Sequence, residues 1–120
     1  MNLLQIKVPA NDIRQAATLL DSYISAIPMI SALSISKFFG CLLHLKIENP
    51  KYTSSLKLRD AAFAMTHLTD TQKRREVITM SAGNHAQAVA FRARQEGVKA
   101  TIVMPKQTPF SKVERTRTLG

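Results

Sequence analysis

The sequence predicts an α/β protein whose parallel sheet is assembled from βαβ units, and three observations carry that expectation. Short apolar runs at residues 41–47, 77–80 and 100–104 alternate with segments whose apolar residues recur at helical spacing. The chain has 120 residues, 45% of them hydrophobic, which suits one modest core and excludes a disordered or low-complexity polymer. A single cysteine, Cys41, excludes an internal disulfide framework or a Cys-rich zinc site and fits a reducing, cytoplasmic setting.

Each element has its own signal. Asn11-Asp12 offers an N-cap, and Ile13, Ala16, Ala17, Leu20 and Ile24 then recur at helical period, predicting an amphipathic surface helix that ends before Pro28. A serine-rich passage follows, with a short helix expected over residues 33–39. Residues 41–47 form a short apolar run after Gly40, expected as a buried strand closed by a turn at Asn49-Pro50. Leu58, Ala61, Ala62 and Met65 restore the helical period over residues 55–68. Residues 77–80 read as a strand, 85–96 as an Ala-rich helix with Gly97 as its left-handed cap, and 100–104 as a strand stopped by Pro105. Ser111 and Glu114 have capping-box spacing and open a last helix. Three strands in one parallel sheet would leave edges and faces that need further elements to cover them.

Lys+Arg number 17 and Asp+Glu 8, a formal net charge of +9. Such a balance permits a polyanionic partner. However, the longest basic run is Lys73-Arg74-Arg75, and no aromatic residues interleave the charges as a base-stacking surface requires. A solvated basic surface is therefore expected rather than a nucleic-acid interface. The most apolar stretch, residues 23–45, is broken by Pro28, Lys37 and Gly40, so no membrane span is expected, and residues 1–7 lack an apolar stretch long enough for a signal peptide.

In parallel α/β folds ligands gather where strands end and helices begin. The first such junction places Lys57 in the opening turn of a helix, where the positive helix end and partial burial both favour a neutral, nucleophilic amine. An ordinary surface lysine is the competing reading. The second junction is Ser81-Ala82-Gly83-Asn84-His85, where Gly83 permits a tight turn and free N–H groups at the helix start form an anion site. Here the competing reading is a plain N-cap made by Asn84 or Ser81. His44 and His67 have no partners at metal-ligand spacing and are read as structural.

Taken together, Leu45-Lys46-Ile47-Glu48-Asn49 leading to Thr53-Ser54-Ser55-Leu56-Lys57-Leu58-Arg59, then Ser81-Ala82-Gly83-Asn84-His85-Ala86-Gln87, then residues 100–105, resemble the threonine dehydratase family. These are fold-type II pyridoxal-phosphate enzymes related to serine racemase. The resemblance implies that Lys57 bonds to the aldehyde of pyridoxal 5'-phosphate and that Asn84 hydrogen-bonds its ring oxygen. Ser81, Ala82, Gly83 and His85 would hold the carboxylate of a small amino-acid substrate, threonine or serine. The implied reaction is β-elimination, from L-threonine to 2-oxobutanoate and ammonia, with Lys57 removing the α-proton. Ala82 stands where racemase-like members offer a second serine, which favours elimination.

Several positions depart from the family pattern. Ser54 and Leu56 replace the glycine and aromatic of Gly-Ser-Phe-Lys, Asp60 replaces the glycine of Arg-Gly-Ala, and Ala88 replaces another glycine. The four glycines, Gly40, Gly83, Gly97 and Gly120, are isolated, so none builds a glycine-rich phosphate loop. The family carries that loop in a region matched by none of these residues. The expected fold is therefore an incomplete piece of the two-domain fold-type II architecture. Residues 1–68 would begin the large domain with the lysine helix, and residues 69–120 the small domain with the Ser-Ala-Gly-Asn-His loop. By itself the chain is expected to be inactive, with the missing C-terminal portion or a second copy as partner. The alternatives are a catalytically dead binding or assembly module and, last, a basic nucleic-acid-binding module.

Overall fold

The computed structural model describes residues 8–48, 53 and 55–120. The Asn49-Pro50 turn and Ser54 lie outside them. In chain order the elements are α1 (Ala10–Leu20), β1 (Met29–Ser31), α2 (Leu33–Phe39), β2 (His44–Lys46), α3 (Lys57–Thr66), α4 (Asp70–Arg75), β3 (Val77–Met80), α5 (Asn84–Glu96), β4 (Ala100–Val103) and α6 (Phe110–Leu119).

The βαβ expectation holds for β3–α5–β4. The two strands pair in parallel, from Val77 against Ala100 to Met80 against Val103, and α5 forms the crossover. The run at 41–47 is different. Only His44–Lys46 is a strand, its three residues exposed rather than buried, and it pairs antiparallel with β1 in a separate two-stranded sheet. The single three-stranded parallel sheet and the buried strand are thus corrected. The partner β1 lies upstream of β2, across α2 and a tight turn, and a short intervening element permits antiparallel pairing. Gly40 ends α2 in the left-handed conformation (φ 64°), and the buried Ser36 hydroxyl accepts the Leu43 N–H at 2.9 Å, fixing that turn.

Two caps also differ from expectation. The first helix is preceded by Pro9, leaving Asn11 and Asp12 inside the first turn, and α6 is preceded by Pro109, which puts Ser111 past the capping position. Proline's fixed φ pre-sets the backbone for a helix start two or more residues earlier in each case. The complete capping box belongs instead to α4, where Thr69 and Gln72 bond each other's backbone N–H. Gly97 caps α5 in the left-handed conformation (φ 65°) as expected.

The core lies between α3 and α5. Ala61 packs with Ala88 and Val89, while Met65 packs with Ala93 and Val98, and Val77 and Ala100 from the parallel sheet close both groups. Leu58 and Ala62 are also buried, so the periodicity read at residues 58–65 is the buried face of α3. Small residues here let the two helices approach closely, because interaxial distance follows side-chain size. By contrast α1 buries no residue, and Ile13 stays 60% exposed. Among the described residues no helix is long and apolar enough to cross a membrane.

Candidate functional site

Lys57 opens α3, as its position before an apolar-periodic segment predicts. Buried Ser55 accepts the Lys57 backbone N–H at 3.1 Å, tying down the first turn through a local side-chain bond. Arg59 reaches back to Glu48 at 2.7 Å, with both side chains largely sheltered, and so pins the end of the β2 segment to the lysine helix. The Lys57 side chain itself is 46% exposed and donates to Asp60 at 2.8 Å. Partial burial of the amine, expected from sequence, is therefore replaced by a half-exposed ion pair. The first-turn acid inserted at position 60 is the cause, one helical turn from the lysine.

The second junction forms where expected. β3 ends at Met80, the Ser81 N–H bonds the Val103 carbonyl at 3.0 Å, and α5 begins at Asn84. Gly83 occupies the N-cap position, and no side chain caps this helix. The plain N-cap reading for Asn84 or Ser81 is thus not realised. Instead the Ser81 hydroxyl accepts the Gly83 N–H at 3.3 Å, within its own loop. The remaining first-turn N–H groups keep the anion-attracting character of a helix start. Gly83 does not serve a left-handed turn, since its φ is −131°, and a Cβ built there would meet nothing within 4 Å. What this glycine leaves is open space beside an uncapped helix end. Asn84 is exposed, and Ser81, Ala82, Gly83 and His85 are half-buried.

The packing of α3 on α5 relates the two junctions. Ala61 sits with Ala88, and Met65 with Ala93, so both helices advance together from the same end of the packed pair. One turn before Ala61 stands Lys57, and one turn before Ala88 stands Asn84. At the far end of α5 a charged cluster secures the helix. Buried Arg92 donates to Gln95 and Glu96, both at 2.9 Å, and lies 4.3 Å over the Tyr23 ring. Lys73 closes the cluster on Glu96 at 2.8 Å, and that carboxylate holds the Lys73 ammonium above the ordinary value of 10.5.

One polar group escaped sequence reasoning. Thr53 is 1% exposed, and its hydroxyl has no hydrogen-bond partner among the described residues. It stands four residues before Lys57, and an unpaired buried hydroxyl is costly enough to call for a partner. His44 and His67 are engaged locally, His44 with Ser31 at 3.4 Å and His67 with the Phe63 carbonyl at 2.9 Å.

A family profile described as pyridoxal-phosphate dependent enzyme matches residues 20–120. The chain is 38% identical over 113 residues to L-threonine ammonia-lyase of Thermotoga maritima, covering 94% of this chain and 28% of that protein. It is 40% identical over 114 residues to the catabolic L-threonine dehydratase TdcB of Staphylococcus aureus, covering 94% of this chain and 33% of the other. Among solved structures, maize serine racemase superposes with a TM-score of 0.86 at 36% identity, over 92% of this chain and 33% of its own. The chain thus spans about a third of the length of these relatives.

Proposed function

This chain belongs to the pyridoxal-phosphate dependent enzyme family, and on that premise we propose that it carries the lysine and the substrate-carboxylate loop of a threonine or serine ammonia-lyase. The observation that carries this reading is the common start of α3 and α5, with Lys57 opening one helix and Asn84 opening the other, uncapped, helix. In this reading residues 1–68 belong to the large domain and residues 69–120 to the small one.

The residues fit one end of the cofactor. Lys57 offers an accessible primary amine, Gly83 leaves room beside free helix N–H groups, and Asn84 faces solvent with a neutral donor and acceptor. When bound, pyridoxal phosphate supplies a sink for the electron pair left at an amino acid's α-carbon. The Lys57 Nζ would hold the aldehyde carbon and, once released, take the α-proton. Asn84 would donate to the ring oxygen. The first-turn N–H groups of α5, with Ser81, Ala82, Gly83 and His85 around them, would bind the substrate carboxylate.

These 120 residues alone are proposed not to turn over L-threonine or L-serine. Their isolated glycines grip no phosphate, and a misplacement of about 1 Å at a reacting centre costs on the order of a hundredfold. The second reading is a binding or assembly module without catalysis. It is favoured by the Lys57–Asp60 ion pair and by Leu56, 49% exposed where the family has an aromatic. Reduction with borohydride in the presence of pyridoxal phosphate, followed by peptide mapping, tests the central assignment. Labelling concentrated at Lys57 is expected, and preferential labelling of Lys73 or Lys106 would refute it. Formation of 2-oxo acid above the free-cofactor background, abolished by Lys57→Ala, would overturn the inactivity of the 120 residues.

A further inference from the structure

Pro28 shapes the chain after the first helix. The apolar spacing runs on through Ile24, but α1 ends at Leu20, whose carbonyl accepts the Tyr23 and Ile24 N–H groups, both at 2.9 Å. A residue before proline is driven out of the helical region, so Ile27 cannot prolong α1. Residues 23–28 instead lie against side chains of α3 and α5 and enclose, with Ile47, Leu58, Phe91 and Gln95, a cavity of about 200 Å³. Leu58 is buried, and Ile24, Ile27, Ile47 and Phe91 are half-buried, whereas Tyr23, Ser25 and Gln95 are exposed. The cavity therefore has an apolar interior and a polar rim.

We propose that this cavity binds one small uncharged ring bearing a single hydroxyl, of the size of phenol. Volume sets the size, since an apolar cavity of about 150 Å³ already holds benzene, whereas drug-sized ligands occupy roughly 300 Å³ or more. Charge sets the class. Among the described residues, none that lines the cavity is charged at neutral pH. The cation joined to the rim, buried Arg92, is met by Glu96 at 2.9 Å. An organic anion would thus lose its hydration without gaining a counter-charge. The rim is held ready for a hydroxyl, because Arg92 donates to the Gln95 side-chain oxygen at 2.9 Å and lies 4.3 Å over the Tyr23 ring. With that oxygen engaged, Gln95 offers its amide N–H to a ligand oxygen. Rim side chains already fixed in this way lose little freedom on binding. Lys57 does not line the cavity, so the proposal stands apart from the cofactor chemistry.

The test follows the methyl resonances of Ile24, Ile27 and Leu58 while the chain is titrated with phenol, toluene and benzoate. Saturable shifts are expected with phenol, half complete at about 1 mM. Toluene, which lacks the hydroxyl, should bind roughly threefold more weakly, and benzoate, which is charged, roughly tenfold more weakly. Ile24→Trp and Ile27→Trp each fill the interior and should weaken phenol binding roughly tenfold while leaving the helical circular dichroism unchanged. Gln95→Leu should abolish the preference for phenol over toluene. Lys57→Ala should bind phenol as the parent does, so that loss of the cofactor chemistry and loss of this site are read separately. No saturable shift in the parent, phenol binding that survives both tryptophan variants, or benzoate binding as tightly as phenol would overturn the proposal. So would a preference for phenol that Gln95→Leu leaves intact, because the hydroxyl would then lack its partner on the rim.

Discussion

Replacing Asp60 with asparagine should make Lys57 more reactive while making its helix less stable. The Lys57 Nζ and the Asp60 carboxylate are 2.8 Å apart, with side chains 46% and 48% exposed. At that exposure an ion pair contributes about 0–1 kcal/mol. The same carboxylate sits in the first turn of α3, where its interaction with the helix dipole adds about 0.3–1 kcal/mol. Asparagine is nearly isosteric and has a helix propensity close to that of aspartate, so Asp60→Asn removes little beyond these two electrostatic contributions. Before the amine can attack a carbonyl its hold on the carboxylate must be given up. With each 1.4 kcal/mol equal to tenfold, abolishing a contact of up to about 1 kcal/mol predicts labelling by pyridoxal phosphate up to about fivefold faster. The melting temperature should fall by a few degrees, as expected for a loss of about 1 kcal/mol. The assay is the initial rate of reduced pyridoxyl-peptide formation at Lys57, at fixed pH and limiting cofactor, for the parent, Asp60→Asn and Glu114→Gln. The last variant breaks the Arg117–Glu114 pair in α6, outside both site helices. Unchanged or slower labelling at Lys57 in Asp60→Asn alone would refute the argument that Asp60 restrains the amine.

Three further outcomes are expected. Met65→Ala, at a side chain 3% exposed between Ala93 and Val98, should destabilise the fold by about 2–5 kcal/mol in denaturant titrations, whereas Ile13→Ala, at 60% exposure, should stay within about 0.5 kcal/mol. Equal losses at the two sites would mean that the α3–α5 seam is not the core. The Glu96 hydrogen bond raises the Lys73 ammonium above 10.5 in the folded chain, so its contribution is complete below that value and is lost as pH rises through the higher folded one. Melts of the parent and Lys73→Met should therefore converge only above pH 10.5, and convergence near neutrality would contradict the Lys73–Glu96 pairing. Finally, the net charge of +9 should give weak duplex-DNA binding that falls steeply between low and physiological salt. Sequence-specific binding that persists at physiological salt would reinstate the nucleic-acid reading.

Legibility in the sequence followed from how local each determinant is. The Ala-rich α5 with Gly97 after it, the strand at 77–80 and the buried face of α3 were all readable, because period and caps lie within a few residues. The α4 helix was missed because Asp-Thr-Gln-Lys-Arg-Arg has no apolar period, although Thr69 and Gln72 carried a capping-box signal three residues apart. The β1 strand was missed because three residues have no readable period, and its existence depends on a partner fifteen or so residues away. At the site, the residue types and their order along the chain were legible. The exposure of Lys57, the unpaired Thr53 hydroxyl and the absence of a side-chain cap on α5 were not.

By itself, then, the sequence determined the helices with strong period, the strand–loop–helix order around Ser81–His85, and the family resemblance, all of which depend on residue identities at short spacing. The tertiary structure alone decided that 41–47 joins an antiparallel pair, that Lys57 and Asn84 stand at the same end of two packed helices, and that Ile78, Met80 and Val103 face outward. A continuous apolar strand looks the same whether one face or both are covered. Which face is covered is set by where α5 and α6 pack, a long-range outcome of chain reversal and side-chain volume that no local pattern encodes.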